Sequence, residues 1–286
     1  MRISVGDIRL YVDVDGAGLL PDGSEMRVRP TIIVLHGGPG FDHSIFKPLL
    51  HRLTGRAQVV YYDHRGQGRS DRSSADKWNL AQWADDLVAL CAALGIERPI
   101  VYGESFGGFV AQTYAVRHPS HPGALILDST SARLDVEAMV PVFERLGGPA
   151  AAALARRFWS DPSPQNMGEY MATCMPLYDR TPDAFSPELM ARAMPVANFD
   201  VLTHFAVHEQ PIYDVRADLA RVACPVLLMS GEDDPVTPMA GAEEIAAHLP
   251  DSLVRFERFA NCGHGVLRDS PDLGWAVLES FLDSVV

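Results

Sequence analysis

The strongest structural signal in the chain is the stretch PIVYGESFGGFVAQTYA, residues 99–115. Its first four residues are apolar and predict a short buried strand, and the apolar run from Phe109 onward predicts a helix. A strand, a sharp glycine-rich turn and a helix are the context of a nucleophile elbow, in which the serine is forced outward at the helix N-terminus. The pattern predicts Ser105 as a nucleophile, and the alternative is a tight turn whose serine only caps the helix.

A serine nucleophile needs a general base, because its hydroxyl reacts poorly at neutral pH. His264 is the best candidate, since it lies in a loop between a predicted strand at 253–256 and the last predicted helix. The acid that orients this base is expected in the loop 231–238, which holds three consecutive carboxylates, Glu232, Asp233 and Asp234. The order serine, acid, histidine along the chain fits a hydrolase, but the residues alone leave Asp233 and Asp234 open.

Acyl transfer also needs hydrogen-bond donors for the oxyanion that forms in the transition state. The backbone N–H of Phe106, which directly follows the serine, is one expected donor. The other is expected from HGGPG at 36–40, after an apolar strand at 31–35, with Gly38 favoured over Gly37. A phosphate cradle is the alternative, and it fails because no Lys-Ser/Thr pair follows and Pro39 removes a donor.

The rest of the chain predicts an α/β fold built on a mostly parallel, doubly wound sheet. Residues 8–14 alternate as a strand with one wet face, and short apolar runs at 31–35, 59–62, 100–102, 124–127 and 225–229 are typical of strands buried on both faces. Predicted helices at 80–94, 240–249 and 273–281 alternate with them. The glycine-rich residues 16–24 are predicted to form a turn between edge strands.

The alternation stops between about residues 131 and 213, where the pattern is helical and rich in Ala, Met, Pro and Arg. We therefore expect a sheet domain formed by residues 1–130 and 214–286, with residues 131–213 inserted as a helical cap. Insertions that follow a strand end commonly form lids over a site at the carboxyl ends of the strands.

Composition narrows the classes of partner. The chain has 286 residues, 47% of them hydrophobic, and a formal net charge of −13. These values exclude intrinsic disorder, and the negative charge argues against nucleic acid or an anionic membrane as partner. No apolar run reaches the roughly 18 residues of a membrane helix, no signal-peptide pattern opens the sequence, and the four cysteines form no CxxC. We expect a cytoplasmic protein that acts on a small molecule, and its oligomeric state stays open.

Five motifs together resemble the α/β-hydrolase superfamily: HGGPG at 36–40, DHRGQGRS at 63–70, GESFGG at 103–108, GEDDPVTP at 231–238 and CGHG at 262–265. HGGPG with DxRGxGxS is similar to the proline iminopeptidase-like serine hydrolases. The resemblance implies a catalytic set of Ser105, His264 and Asp234, the acid being the carboxylate four residues before Pro238. It also implies an oxyanion hole at Gly38 and Phe106, and a cap that selects the substrate.

Iminopeptidases hold the free amino group of their substrate with carboxylates of the cap and of the triad region. In relatives a glutamate can directly follow the triad aspartate, but Pro235 occupies that position here. Glu209 and Asp200 of the cap are the remaining candidates for the amine. We expect Glu209, Trp159 and Tyr178 to contact the substrate.

The substrate class stays open between two kinds of acyl compound. One is a peptide or amide with an N-terminal proline, and the other is an ester or lactone such as an acyl-homoserine lactone. A ligand receptor without turnover, on the same fold, is the non-enzymatic alternative. No metal or cofactor is expected, because His204 and His208, four residues apart, lack a third ligand nearby in the sequence.

Overall fold

The computed structural model describes residues 1–181 and 187–286, and its centre is an eight-stranded sheet of order β1-β2-β6-β5-β7-β8-β9-β10. Strands β5 to β10 run parallel, while β1 and β2 are added in antiparallel pairing. The strands are β1 (Arg2–Val5), β2 (Ile8–Asp15), β3 (Leu19–Asp22), β4 (Glu25–Val28), β5 (Thr31–Leu35), β6 (Gln58–Tyr62), β7 (Ile100–Glu104), β8 (Ala124–Asp128), β9 (Val226–Gly231) and β10 (Val254–Phe259). This sheet confirms the predicted fold class.

Helices cover both faces of the sheet, as a doubly wound fold requires. The α-helices are α1 (Lys47–Leu50), α2 (Leu80–Leu94), α3 (Phe106–Arg117), α4 (Val136–Ser160), α5 (Pro164–Thr173), α6 (Pro187–Ala193), α7 (Phe199–His204), α8 (Met239–His248), α9 (Val266–Asp269) and α10 (Pro271–Val285). One apolar core packs around Trp83 and Tyr114 on one face, and a second packs around Trp275 and Phe281 on the other. Because both faces are covered, β7, β8 and β9 are buried along their whole length.

The chain between β8 and β9 contains helices α4 to α7, and within its described residues no strand joins the sheet. Helix α4 breaks at Gly148, whose φ of 76° is non-helical and which Pro149 follows. Helices α4 and α5 pack around an apolar cluster that includes Phe143, Phe158 and Tyr170, whereas Val201 of α7 packs into the core of the sheet. We propose residues 131–213 as the cap, and the cluster formed by α4 and α5 supports this proposal.

The predicted turn at residues 16–24 forms differently from the expectation. Strands β3 and β4 pair there as a separate two-stranded hairpin, and the turn between them is confined to residues 23 and 24. Gly23 has a φ of 63°, which glycine adopts at no steric cost.

In the described residues, no helix combines the length and the apolar character that a bilayer crossing requires.

Close packing of α3 against the sheet makes a testable prediction at Gly107. A Cβ atom at this position would collide with the carbonyl oxygen of Leu35 in β5, and backbone cannot yield as a flexible side chain can. We expect Gly107→Ala to lower the melting temperature by several degrees and to reduce activity as α3 shifts. The measurement is thermal unfolding followed by circular dichroism.

Gly168→Ala is the matched control, because Gly168 lies inside α5 with open space around its Cβ position. Alanine is favoured over glycine inside a helix by about 1 kcal/mol, so this variant should melt at the same temperature or higher. Equal effects of the two substitutions would contradict the packing argument.

Candidate active site

Ser105 lies at the sharp turn between β7 and α3. Its φ of 57° and ψ of −121° are rare for a residue with a side chain and cost about 1–3 kcal/mol, which the surrounding packing must offset. That packing is tight, since a Cβ at Gly103 would lie 2.5 Å from the carbonyl oxygen of Gly107. The serine is held at this backbone conformation, at the edge of a cavity that its side chain lines.

Asp234 and His264 are joined by a short buried hydrogen bond. Asp234 Oδ2 lies 2.8 Å from His264 Nδ1, and neither side chain is more than 5% exposed. Asp234 also accepts hydrogen bonds from the backbone N–H groups of Val236 at 2.8 Å and Thr237 at 2.9 Å, and from Thr237 Oγ1 at 2.8 Å. A carboxylate only accepts, so Nδ1 carries the imidazole proton and Nε2 is left as the basic nitrogen.

The charge environment favours the protonated form of His264. Burial disfavours the imidazolium, but the charge and hydrogen bond of Asp234 and the charge of Glu104 outweigh it, so the pKa of His264 lies above its ordinary value. Ser105 and His264 line the same cavity. The arrangement can therefore accept a proton at Nε2 and hold it there.

Asp233 faces away from the histidine. Its carboxylate lies 2.5 Å from Arg145 Nη1 and 3.6 Å from Arg180 Nε. The structure thus brings Asp234 to His264 and places Asp233 against two arginines that follow β8 in the inserted helical region. Asp233 and Asp234 are adjacent in the sequence, so their position alone does not show which of them binds His264. Their different side-chain contacts do.

The glycine-rich loop after β5 also reaches the cavity, where Gly37 and Gly38 line it beside Ser105. Gly38 has a φ of 130°, a region that side-chain-bearing residues avoid. The backbone N–H of Phe106 belongs to the first residue of α3, directly after the serine. Both predicted oxyanion donors are therefore on segments that border the cavity.

The motif at 63–70 holds this loop, a role that the sequence alone did not reveal. The backbone N–H of His64 lies 3.2 Å from His36 Nε2, and the His36 Nδ1–H donates to the Gly37 carbonyl at 2.8 Å. The backbone N–H of Gly40 donates to Gln67 Oε1 at 2.6 Å. These bonds fix both ends of the glycine-rich segment.

The cavity is lined mainly by apolar and aromatic side chains. Trp159 and Tyr178, two of the residues expected to contact the substrate, line it together with Phe41, Phe46, Phe109, Phe158, Met167, Tyr170, Met171, Met175, Met190, Phe199, Leu202 and Phe205. Glu209 is not among the lining residues, which corrects the expectation for it: its Oε2 accepts the backbone N–H of Leu80 at 3.0 Å, at the start of α2. Asp200 is exposed and does not line the cavity either.

A buried charge cluster behind the histidine loop also escaped prediction. Arg268 donates to Glu104 Oε1 at 2.8 Å, to Asp179 Oδ1 at 3.0 Å, and to the carbonyl of His264. Burial and the nearby Asp128 raise the pKa of Glu104 to about 7, although Arg268 opposes the shift. Glu104, Asp128, Asp179 and Arg268 come from four separate segments, so no local pattern marks the cluster.

One group in residues 1–181 and 187–286 has the spacing of metal ligands: Asp42, His43 and Asp63. Arg69 contacts Asp42 through its guanidinium and Asp63 through its backbone N–H, and His43 Nδ1 lies 2.6 Å from Asp63 Oδ1. The carboxylates are thus already paired within the protein. His204 and His208 lie with ring centroids 4.7 Å apart and belong to no such group of three among the described residues.

Comparison with known proteins agrees with this geometry. Residues 30–271 match the family of the α/β hydrolase fold. The chain is an α/β hydrolase. It is proline iminopeptidase-like, being 32% identical over 257 residues to a proline iminopeptidase of Lactobacillus delbrueckii subsp. lactis, with 82% of this chain and 84% of the relative covered.

Two further comparisons extend over almost the whole hydrolase. RutD of Caulobacter sp. (strain K31), whose name gives it as a candidate carbamate hydrolase, is 29% identical over 277 residues, covering 94% of this chain and 96% of the relative. The crystal structure of a proline iminopeptidase from Mycobacterium smegmatis superposes with a TM-score of 0.79 at 27% identity, covering 100% of this chain and 98% of that one.

The contrast between the two neighbouring aspartates is testable in this hydrolase. Asp234→Asn should lower kcat by roughly 10⁴-fold, because an amide cannot hold the Nδ1–H tautomer or stabilise the imidazolium. Asp233→Asn should change kcat by less than about threefold, since it removes only partly exposed ion pairs. Initial rates with 4-nitrophenyl butyrate measure both, and the reverse pattern would reassign the acid to Asp233.

The charge of Glu104 makes a prediction about the pH profile. With neutral His264 as the predicted base, kcat/KM should rise with pH through the pKa of His264, which Glu104 helps to raise. Glu104→Gln removes that negative charge, and we expect the rising limb to move to lower pH. Glu97→Gln, at an exposed loop position, is the control and should leave the limb in place. An unmoved limb in Glu104→Gln would refute the electrostatic coupling.

Proposed function

We propose that this α/β hydrolase is a serine hydrolase that cleaves a small, uncharged, apolar ester or lactone through an acyl-enzyme intermediate. The observation that carries the proposal is that Ser105 and His264 line one apolar cavity while Asp234 binds His264 from behind. The backbone N–H groups of Gly38 and Phe106 supply the oxyanion site.

In the proposed reaction, His264 Nε2 accepts the proton of Ser105 Oγ as this oxygen attacks the carbonyl carbon of the substrate. The negative charge moves to the carbonyl oxygen, which accepts hydrogen bonds from Gly38 and Phe106. His264 then gives its proton to the leaving oxygen, and the ester C–O bond breaks. A water molecule, deprotonated by His264 in turn, attacks the acyl-enzyme and releases the acid and free Ser105.

The cavity supports an uncharged substrate over one with a free amino group. Among the lining residues that the structure describes, Glu104 is the one carboxylate, and Arg268 already neutralises it at 2.8 Å. Glu209 is bound to the start of α2, and Pro235 stands where a second glutamate would follow Asp234. An ammonium group would therefore enter an apolar site without an uncommitted counter-charge, which is costly.

A prolyl amidase is the second candidate function. It is supported by the similarity to the proline iminopeptidases of Lactobacillus delbrueckii and Mycobacterium smegmatis. In that case Glu104 would have to exchange part of its bond to Arg268 for the substrate amine. The two candidates differ in one measurable property, which is the charge of the substrate beside the scissile carbonyl.

Side-by-side rates test the proposal. Wild type and Ser105→Ala are compared on 4-nitrophenyl butyrate, an acyl-homoserine lactone and prolyl 4-nitroanilide. We expect wild type to prefer the ester or lactone, and Ser105→Ala to lose at least roughly 10³-fold in kcat. A fluorophosphonate probe should add one adduct to wild type and none to Ser105→Ala by intact mass.

Each other outcome has a definite meaning. Preference for prolyl 4-nitroanilide would establish the second candidate and overturn the apolar ester. Ligand binding without turnover and without a fluorophosphonate adduct would indicate a receptor. Unchanged rates in Ser105→Ala would refute the serine mechanism itself.

A further inference from the structure

Three residues that line the cavity, Trp159, Tyr170 and Tyr178, are joined by hydrogen bonds between their polar atoms. Trp159 Nε1 lies 3.2 Å from Tyr170 Oη, and Tyr170 Oη lies 2.8 Å from Tyr178 Oη. All three side chains line the cavity that contains Ser105 and His264. Trp159 is on α4, Tyr170 is on α5, and Tyr178 follows α5, so the chain of hydrogen bonds crosses three segments.

Tyr178, at one end of these hydrogen bonds, is held next to His264. The rings of Tyr178 and His264 meet edge to face, with centroids 5.3 Å apart. The backbone carbonyl of Tyr178 also accepts the backbone N–H of His264 at 2.6 Å. Tyr170 is held by stacking on Phe158, with centroids 4.2 Å apart. The two hydroxyl groups therefore have defined positions relative to the catalytic base.

A count of protons leaves one hydroxyl donor uncommitted. The indole N–H can only donate, so it donates to Tyr170 Oη. Of the two tyrosine protons, one lies in the bond between the hydroxyl groups. In the part of the chain that the structure describes, no further acceptor lies within hydrogen-bond distance of either hydroxyl. One O–H group is thus left to donate, whichever tyrosine carries it.

Cooperativity places this free donor on Tyr178. When Tyr170 accepts from Trp159 and donates to Tyr178, each bond polarises the next, and the terminal proton is that of Tyr178. Burial raises the pKa of Tyr178 and that of Tyr170 above the ordinary value, so both hydroxyl groups stay protonated at neutral pH. A hydroxyl donor without an acceptor in an apolar cavity is unfavourable, and a suitable ligand atom would remove that cost.

We propose that the Trp159–Tyr170–Tyr178 chain is a specificity site that donates a hydrogen bond to a neutral carbonyl oxygen on the leaving group of the substrate. The inference rests on the proposed function, since it takes His264 as the acid that protonates the leaving group. The leaving group must then lie beside His264, and Tyr178 is the cavity hydroxyl that packs on this ring. The substrate class is an apolar acyl ester whose alcohol portion contains a carbonyl group.

The acceptor is neutral because of the residues around it. An anionic leaving group would lie near Glu104 and Asp234, whose charges already act on His264, and would be repelled. An ammonium group has no lone pair and cannot accept the proton that Tyr178 donates. A carbonyl oxygen accepts the bond without either penalty.

Two matched esters test the site: 4-acetylphenyl butyrate, whose leaving group carries a ketone, and 4-ethylphenyl butyrate, in which a methylene replaces it. Because the esters differ in intrinsic reactivity, the measured quantity is the ratio of kcat/KM between wild type and Tyr178→Phe for each ester. We expect Tyr178→Phe to lower kcat/KM roughly tenfold for the acetyl ester and less than about twofold for the ethyl ester. The melting temperature is recorded alongside.

Tyr170→Phe should give the same discrimination with a smaller effect, since it removes the polarising link but leaves the Tyr178 hydroxyl. Met171→Leu, on the same wall and without a polar group, should affect both esters equally. Equal losses for both esters in Tyr178→Phe, or no loss for either, would overturn the specificity site and leave a purely structural link. Absence of turnover and of a fluorophosphonate adduct in wild type would instead refute the proposed function.

Discussion

The close approach of α3 to the sheet is the constraint on which the site depends. Gly107 meets the carbonyl of Leu35 and Gly103 faces the backbone of Gly107, so larger residues have no room at either position. This contact sets the turn between β7 and α3, and the turn holds Ser105 at a φ of 57°. It also brings the glycine-rich loop after β5 beside the serine, because β5 and β7 are neighbours in the sheet. Ser105 and the loop that contains Gly38 are therefore positioned by one packing contact.

A second set of contacts ties the histidine loop to the inserted helical region. Besides the backbone bond from His264 to Tyr178, Asp269 accepts the backbone N–H groups of Arg180 at 2.8 Å and Gly263 at 2.7 Å. Arg268 adds its bond to Asp179. The segment that contains Tyr178 is thus held by the loop that contains His264.

The electrostatics of the site follow from burial. Asp234 satisfies its charge with two backbone N–H groups, a hydroxyl and the imidazole, so it remains a good partner for a positive His264. Glu104 and Asp179 share Arg268, and the proximity of Asp128 leaves this buried cluster with more acids than bases. Asp234 and Glu104 raise the pKa of His264 and so favour its imidazolium form.

The sequence by itself determined the sheet, the elbow and the family, because these depend on local patterns. Continuous apolar runs predict buried strands, and glycines around Ser105 predict the turn, whatever the rest of the chain does. The residue pattern left Asp233 and Asp234 open and only the family resemblance favoured Asp234; the tertiary structure shows that Asp234 is the carboxylate that contacts His264. The tertiary structure also shows that Glu209 binds the start of α2 and does not line the cavity. It shows that Trp159, Tyr170 and Tyr178 form one chain of hydrogen bonds. Such contacts join residues that are far apart in the sequence. A local sequence pattern does not predict them, because they form only when the whole chain packs.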